Sequence, residues 1–468
     1  MSFEADVVIG LEVHAELNTR TKLFCACPRT GSDAPNTLTC PVCLGHPGSR
    51  PVLNKQAFLK AIAVCKAFGC SLEDSLVFSR KSYFYPDMSK NFQITQFREP
   101  LGSDGLLPLG DGTQVGLSRV HIEEDPASLV HPHGMKGSEY VLIDYNRAGR
   151  PLVEIVTKPE IASPAQAREF LGALLQVLEY LGVFDSDSVI KADANVSIRE
   201  SGYVRVEVKN ITGFKEVERA LAHEVARQRA VLRQEKEVVQ ETRAWDASTR
   251  RTSRMRTKEQ EADYGYIFEP DLRVISGVHA YAQEVDIPEL GFARERRFQE
   301  EYGLSANDAQ VMSSNRVLAE LFEELSKKHK AVHVARWLRR ELLRVLNYAG
   351  LSVEQSPISS EALSAVIELV SSGKVSENTG QDLMELLVED SFDVKQYVED
   401  EGLLQVTDSS KIQVLCEEVV AEFPEAVADV RSGEKKALNF LVGQVMRKSK
   451  GAAEPGQTRE LLVSLLEE

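Results

Sequence analysis

An α+β architecture is predicted for this 468-residue chain: an N-terminal mixed or antiparallel β-sheet domain with flanking helices, then an all-helical domain and a small helical tail. Three observations carry that expectation. Residues 1 to about 290 alternate short apolar/polar strand patterns with Gly/Pro turns. From 295 to 407 the period changes to three and four residues, as in 315–328 and 332–346. From 408 to 468 a short helical stretch is set off by its own breakers, Gly433 and 451–456. The domains expected are therefore 1–294, 295–407 and 408–468.

Composition is that of an ordinary globular protein, 43% hydrophobic and 27% charged. No apolar run approaches the roughly 18 residues of a membrane helix, and the acidic N-terminus lacks a basic n-region, so a cytoplasmic protein without membrane contact is expected. A net charge of −16 excludes a general nucleic-acid binder but not local basic patches.

The first strand, 7–17, puts Leu11, Val13 and Ala15 on one side and Glu12, His14 and Glu16 on the other. The next element is a loop with two thiol pairs: Cys25 and Cys27, then Cys40 and Cys43 after twelve polar, turn-rich residues. Two short pairs lower the entropy of assembling four soft ligands, which points to a closed structural Zn2+ knuckle over 25–43. His46 is a substitute ligand at most, Cys65 belongs to an apolar helix over 57–68, and Cys70 and Cys416 have no partner pattern. Residues 118–125 bring Arg119, His121, Glu123 and Asp125 to one side. Ser163, Pro164 and Gln166 read as cap, first turn and capping box of a helix whose stripe runs from Ala167 to Leu181 and stops at Gly182. In 192–199 the polar side is Asp193, Asn195, Ser197 and Arg199; in 203–209 it is Tyr203, Arg205, Glu207 and Lys209.

A solvated sheet face explains any one of these strands. Four of them, rich in His, Asn and paired acids, suit a hard divalent cation, with Lys and Arg left for phosphate oxygens. There is no GxxxxGK[ST], strand-borne GxGxxG, GxSxG or HExxH. A metal-dependent site on a sheet face, with phosphate handling as one option, is as far as spacing reaches.

The strings VVIGLEVHAEL (7–17), the CxC…CPVCLG…PG cluster (25–48), RKSYFYPDMSKNFQITQF (80–97), RVHIEEDPAS (119–128), LIDYNRAGRPLVEIVTKPEI (142–161), KADANVSIR (191–199), VEVKNITGF (206–214), RMRTKE…DYGYIFEPDL (254–272) and KKALNFLVGQVMRKSKG (435–451) occur in that order. Together they resemble, over essentially the whole chain, the B subunits of the heterotrimeric Asp/Glu-tRNA(Asn/Gln) amidotransferases (GatB). The resemblance implies a ligase that uses ATP and Mg2+ to phosphorylate the side-chain carboxylate of Glu-tRNA(Gln) or Asp-tRNA(Asn). Ammonia made from glutamine in the A subunit then forms the amide, with a C subunit clamping the two. It also implies Glu12, His14 and Glu124 as Mg2+ ligands, with Glu123 retained because alternation favours it. Glu154 and Asp193 become further carboxylates of the site, and Lys81, Tyr83, Lys209 and Asn210 phosphate or substrate contacts. The helical domain, with Lys327, Lys328, Lys330, Arg336, Arg339, Arg340 and Arg344, would cradle tRNA, and the basic tail helix would reach it too. The chain departs from the family at Pro126, Ala127 and Ser128, where a Lys is lost, and at Gly265, where an Arg is lost. The alternative is a non-catalytic, zinc-stapled RNA-binding scaffold; a stand-alone phosphotransferase is weaker, for want of an ammonia source.

Overall fold

The structure is a computed structural model that describes residues 5–134, 138–257, 265–404, 409–431, 435–449, 453 and 455–467. Lys258, Asp263, Tyr264, Gly433, Lys450 and Gly451, invoked above, lie outside the described residues, as does the break at 407–408. The chain divides into two units, Met1–Leu290 and Gly291–Glu468.

In chain order the first unit contains β1 (Val7–Glu16), α1 (Lys55–Ala67), β2 (Ser71–Leu72), β3 (Ser75–Leu76), β4 (Ser79–Ser82), β5 (Phe92–Thr95), β6 (Gly102–Pro108), β7 (Gln114–Glu124), β8 (Ser128–Val130), β9 (Leu142–Asp144), β10 (Pro151–Thr157) and α2 (Pro164–Tyr180). There follow β11 (Ile190–Ile198), β12 (Val206–Lys209), α3 (Phe214–Arg233), β13 (Glu241–Asp246), β14 (Arg251–Thr257), β15 (Ile267–Phe268), β16 (Ile275–Ser276) and α4 (Val278–Gln283). Nine strands form one sheet in the order β14-β13-β12-β11-β1-β10-β7-β6-β2. It is antiparallel except for the parallel β12–β13 pair.

The apolar side of β1 explains which face the helices cover. Leu11, Val13 and Ala15 are buried in one core with Val153, Ile155, Ala192 and Ala194 of the neighbouring strands and with α1, α2 and α3. Each fully buried Val or Leu contributes roughly 1.5–3 kcal/mol. A one-residue slip of β1 would drive Glu12, His14 and Glu16 into that core, so the register is fixed by the helix-covered face. Helix α2 starts as its sequence dictates: Ser163 Oγ accepts from Gln166 N at 3.1 Å, and Gln166 Oε1 accepts from Ala162 N at 2.8 Å. It ends at a left-handed Gly182.

One strand expectation needs correction. The strand placed over 203–209 begins only at Val206, because Tyr203 is left-handed (φ 61°) and its hydroxyl donates to the Ala5 carbonyl. Cys70 also has a neighbour that the spacing did not suggest: its N–H donates to the Cys65 carbonyl at 2.9 Å, bringing the two thiols together.

The second unit is helical among the described residues. Helices α5 (Gly291–Tyr302), α6 (Ala306–Ser313), α7 (Arg316–Ser326), α8 (Ala331–Trp337), α9 (Leu343–Ala349), α10 (Ser360–Ser371), α11 (Glu377–Glu389) and α12 (Val394–Asp400) enclose one core. A π turn at Leu338–Leu342 interrupts the run expected over 332–346. Helices α13 (Ser409–Glu422), α14 (Pro424–Arg431), α15 (Lys435–Lys448) and α16 (Pro455–Glu467) enclose a separate, smaller core. No helix among the described residues is long and apolar enough to cross a membrane.

Candidate active site

The sheet face away from α1, α2 and α3 carries the charge. Strand register lines up one residue from each of four adjacent strands: Lys191 of β11 opposite His14 of β1, His14 opposite Glu154 of β10, and Glu154 opposite His121 of β7. Glu123, two residues beyond His121, returns to the same face. His14 Nδ1 lies 2.8 Å from Glu123 Oε1 and 4.0 Å from Glu154 Oε2. His121 Nε2 lies 3.0 Å from Glu154 Oε2 and 3.7 Å from Glu123 Oε2. Thr95 Oγ1, from β5, donates to Glu123 Oε2 at 3.2 Å.

Donor atoms of His14, Glu123 and Glu154 all lie within 4.8 Å of one another, a set of one imidazole and two carboxylates that fits a hard divalent cation. Three protein donors leave coordination positions for water or phosphate oxygens. The electrostatics without a cation agree with that need for positive charge. Burial alone would lower the His14 imidazole, but Glu154 and the hydrogen bond to Glu123 carry it up to about 10. His121 is raised for the same reasons against the same burial penalty. Burial would raise Glu123, yet the two imidazoles hold it well below the usual carboxylate range. Glu154 is also lowered, chiefly by His121 acting against burial.

Of these groups, His14 and Glu123 border a cavity of about 460 Å3. His14, Glu123, Lys81, Tyr83, Asp193, Lys209 and Asn210 all line it, so most of the residues singled out in the sequence share one space. Lys209 donates to Asp193 at 2.7 Å and lies 3.6 Å from Glu207, and these acids raise it against the burial penalty. Lys81 sits on β4, which pairs with β5 and β15 in a separate three-stranded sheet. Arg80 anchors that sheet by a two-pronged contact with the buried Glu269, at 2.8 and 3.0 Å.

Two residues fall elsewhere. Glu124 points to the opposite side of β7, where Lys90 and the Ile94 N–H (2.9 Å) hold it. The bulge that would have turned it toward His14 does not occur there; the register of β7 with β10 slips only at Val156/Thr157. The structure therefore groups Glu123, and not Glu124, with His14. Glu12 does share the polar face, accepting from Asn195 Nδ2 at 3.0 Å, but borders an adjoining cavity of about 250 Å3.

Three further groups were not carried into the site from the sequence. His121 is buried between two candidate ligands. Lys191 lines the cavity beside His14. Arg147 lines it too and grips Asp125, with its second nitrogen at 2.6 Å. Alternation puts His121 on the polar face; only the inter-strand register shows what Lys191 meets, and only the folded loop 145–150 shows what Arg147 meets.

The four-cysteine loop forms a second cluster. The sulfurs of Cys25, Cys27, Cys40 and Cys43 all lie within 4.8 Å of one another, and Cys40 and Cys43 are 3.9 Å apart. Tetrahedral Zn–S bonds of about 2.3 Å place sulfurs about 3.8 Å apart, so the set fits structural zinc. His46 is not among the clustered donors. The Cys40 N–H donates to Cys43 Sγ at 3.2 Å. A hydrogen bond from Cys25, and further help from Cys40 N–H and Lys22, lower Cys43 to about 4. Cys25 is correspondingly pushed up by its bond to Cys43 and by burial.

Fold and site thus define an α+β protein whose main sheet carries a buried carboxylate–imidazole cluster beside a cavity, with a second cluster of four cysteines in a loop. The GatB/GatE catalytic domain matches residues 7–282 and the GatB domain matches residues 320–466. The chain is 40% identical to the B subunit of the aspartyl/glutamyl-tRNA(Asn/Gln) amidotransferase of Carboxydothermus hydrogenoformans, over 98% of each chain. It is 41% identical to the corresponding amidotransferase chain of Moorella thermoacetica, over 98% of this chain and 99% of that one. With that of Halobacterium salinarum it shares 42%, over 97% and 96%. The chain belongs to the GatB family of amidotransferase B subunits.

Proposed function

We propose that this chain is the carboxylate-activating, amide-forming subunit of a tRNA-dependent amidotransferase. The observation that carries the reading is the His14–Glu123–Glu154 cradle beside a cavity lined by Lys81, Lys191 and Lys209. A side-chain carboxylate resists ammonia because oxide is a poor leaving group. One carboxylate oxygen of tRNA-bound Glu or Asp attacks the γ-phosphorus of ATP, and the bond to ADP breaks. Ammonia then attacks the acyl carbon, phosphate leaves, and a proton is lost from nitrogen. In this chain His14, Glu123 and Glu154 would hold Mg2+, which neutralises phosphate charge when bound. Lys191 and Lys81 would face phosphoryl oxygens, while Lys209 orients Asp193 through its hydrogen bond. Zinc in the knuckle would be structural, since four thiolates leave no open position.

The ammonia would come from glutamine in the A subunit, with a C subunit completing the heterotrimer, in the cytoplasm where translation proceeds. The helical unit would take the tRNA, 295–407 as a cradle and 408–468 as a tail. Its basic residues are not all available: Arg339 pairs with Asp308 at 2.6 Å and Arg344 with Glu341 and Glu385 at 3.0 and 2.8 Å. Lys448 of the tail is held by Glu418 and Glu422. The reading therefore leans on Lys327, Lys328, Lys330 and Arg340, with Lys436 and Arg447 in the tail.

The test is conversion of Glu-tRNA(Gln) to Gln-tRNA(Gln) by this chain with its A and C partners. Conversion should require Mg-ATP, and ammonium salts should replace glutamine when the amidase of the A subunit is inactivated. Product made without ATP, or without this chain, would leave it a scaffold.

A further inference from the structure

Lys22 is fully buried, just beyond β1. A buried ammonium is costly unless an anion and hydrogen-bond acceptors surround it. Its Nζ donates to the Leu38 carbonyl at 2.7 Å, to the Tyr145 carbonyl at 3.2 Å and to Cys43 Sγ at 3.7 Å. An ammonium has three protons, so these acceptors exhaust it. Of the three, only the sulfur can carry a full negative charge. Neighbouring carboxylates serve other bases: Glu16 pairs with Arg29 and Arg150, and Glu124 with Lys90.

Zn2+ with four thiolates has a net charge of −2, and one adjacent ammonium halves it. The two carbonyls come from separate segments. Leu38 belongs to the knuckle, whereas Tyr145 opens the loop 145–150, whose Arg147 lines the cavity of the candidate active site. The Leu23 N–H donates to the Gly149 carbonyl at 2.8 Å and reinforces that attachment. Gly149 is left-handed (φ 82°), and a Cβ there would lie 3.5 Å from the Cys43 Cβ and 3.6 Å from the Lys22 Cδ. The loop therefore crosses directly over the knuckle.

We propose that Lys22 is the built-in counter-cation of the four-cysteine zinc centre and the pin that ties this centre to the loop 145–150. The proposal rests on the zinc reading of the knuckle and deepens it. Lys22 is a positioning residue: it touches neither substrate nor reacting atoms.

The test begins with the zinc content of the full-length chain, then follows zinc release to a chromogenic chelator. Removal of a partner just outside the ligands costs metal sites about 10- to 100-fold in affinity. Lys22→Met should accordingly release zinc at least about tenfold faster than the parent chain, and Lys22→Arg, which keeps the charge, should fall between them. Equal release from folded parent and Lys22→Met protein would overturn the proposal. A parent chain that holds no zinc would instead overturn the zinc reading. Should the variants not fold, acylation mapping of lysines in the unaltered chain decides. Lys22 should be protected with zinc present and become acylated when zinc is extracted, and equal labelling in both states would refute its role.

Discussion

The chain holds two clusters of metal-capable side chains, and they are built in opposite ways. The knuckle draws its four candidate ligands from 19 consecutive positions, 25 to 43, and as soft thiolates they would close a tetrahedral coordination sphere. The cradle draws its three from positions 14, 123 and 154, brought together only because β1, β10 and β7 are neighbours in one sheet. Its donors are hard, and three of them would leave positions of a bound cation open. A closed local cluster can hold a fold together, whereas an open, long-range one can present a cation to a substrate. The contrast also separates the energetics. Loss of the knuckle should be felt as stability, and loss of the cradle as chemistry on an intact fold.

That contrast can be broken at four points. The largest effect is expected at Glu123→Gln, which should lower ATP-dependent phosphate release by about a hundredfold or more, while circular dichroism and melting stay near the parent values. Collapse of the fold instead would mean that the cradle is structural. Next is Cys40→Ser, or stripping of zinc by a chelator. Structural zinc supplies folding energy outright, so zinc content should fall and the melting temperature of the first unit should drop by several degrees or more. Unchanged melting would put the knuckle in the same class as a solvated loop.

His121→Gln should come third. Its Nε2 orients Glu154 at 3.0 Å, so its loss should weaken Mn2+ binding, followed by electron paramagnetic resonance, by about 10- to 100-fold. Smallest is Glu124→Gln, which faces Lys90 across β7 and should change Mn2+ affinity by less than about twofold, within the scatter of an uncoupled site. A loss of Mn2+ affinity as deep as that of His121→Gln would show that Glu124 swings into the cradle.

The same contrast explains what could be read in the sequence. Cys25, Cys27, Cys40 and Cys43 were legible because their spacing is short and their chemistry unambiguous. The two faces of β1 were legible because period-2 alternation is a local property. His14, Lys81, Tyr83, Asp193, Lys209 and Asn210 could be named through motif resemblance, and the cavity brings them together. What could not be read is register. Whether Glu123 or Glu124 meets His14 depends on where β7 slips against β10, at Val156/Thr157 and not beside the acids. Lys191 acquires meaning only when it is seen opposite His14, and Lys22 only when loop 145–150 folds over the knuckle. Basic residues of the second unit looked uniformly available until Arg339, Arg344 and Lys448 proved to be paired with acids distant in sequence.

The most direct test of the cradle is release of labelled phosphate from γ-labelled ATP by this chain with its A and C partners, with Glu-tRNA(Gln) present or omitted. Release that depends on the charged tRNA and is lost in Glu123→Gln, with the variant still folded, is the result predicted here. ATP turnover that is absent, or that proceeds equally without tRNA and in the Glu123→Gln variant, would contradict carboxylate activation at this site.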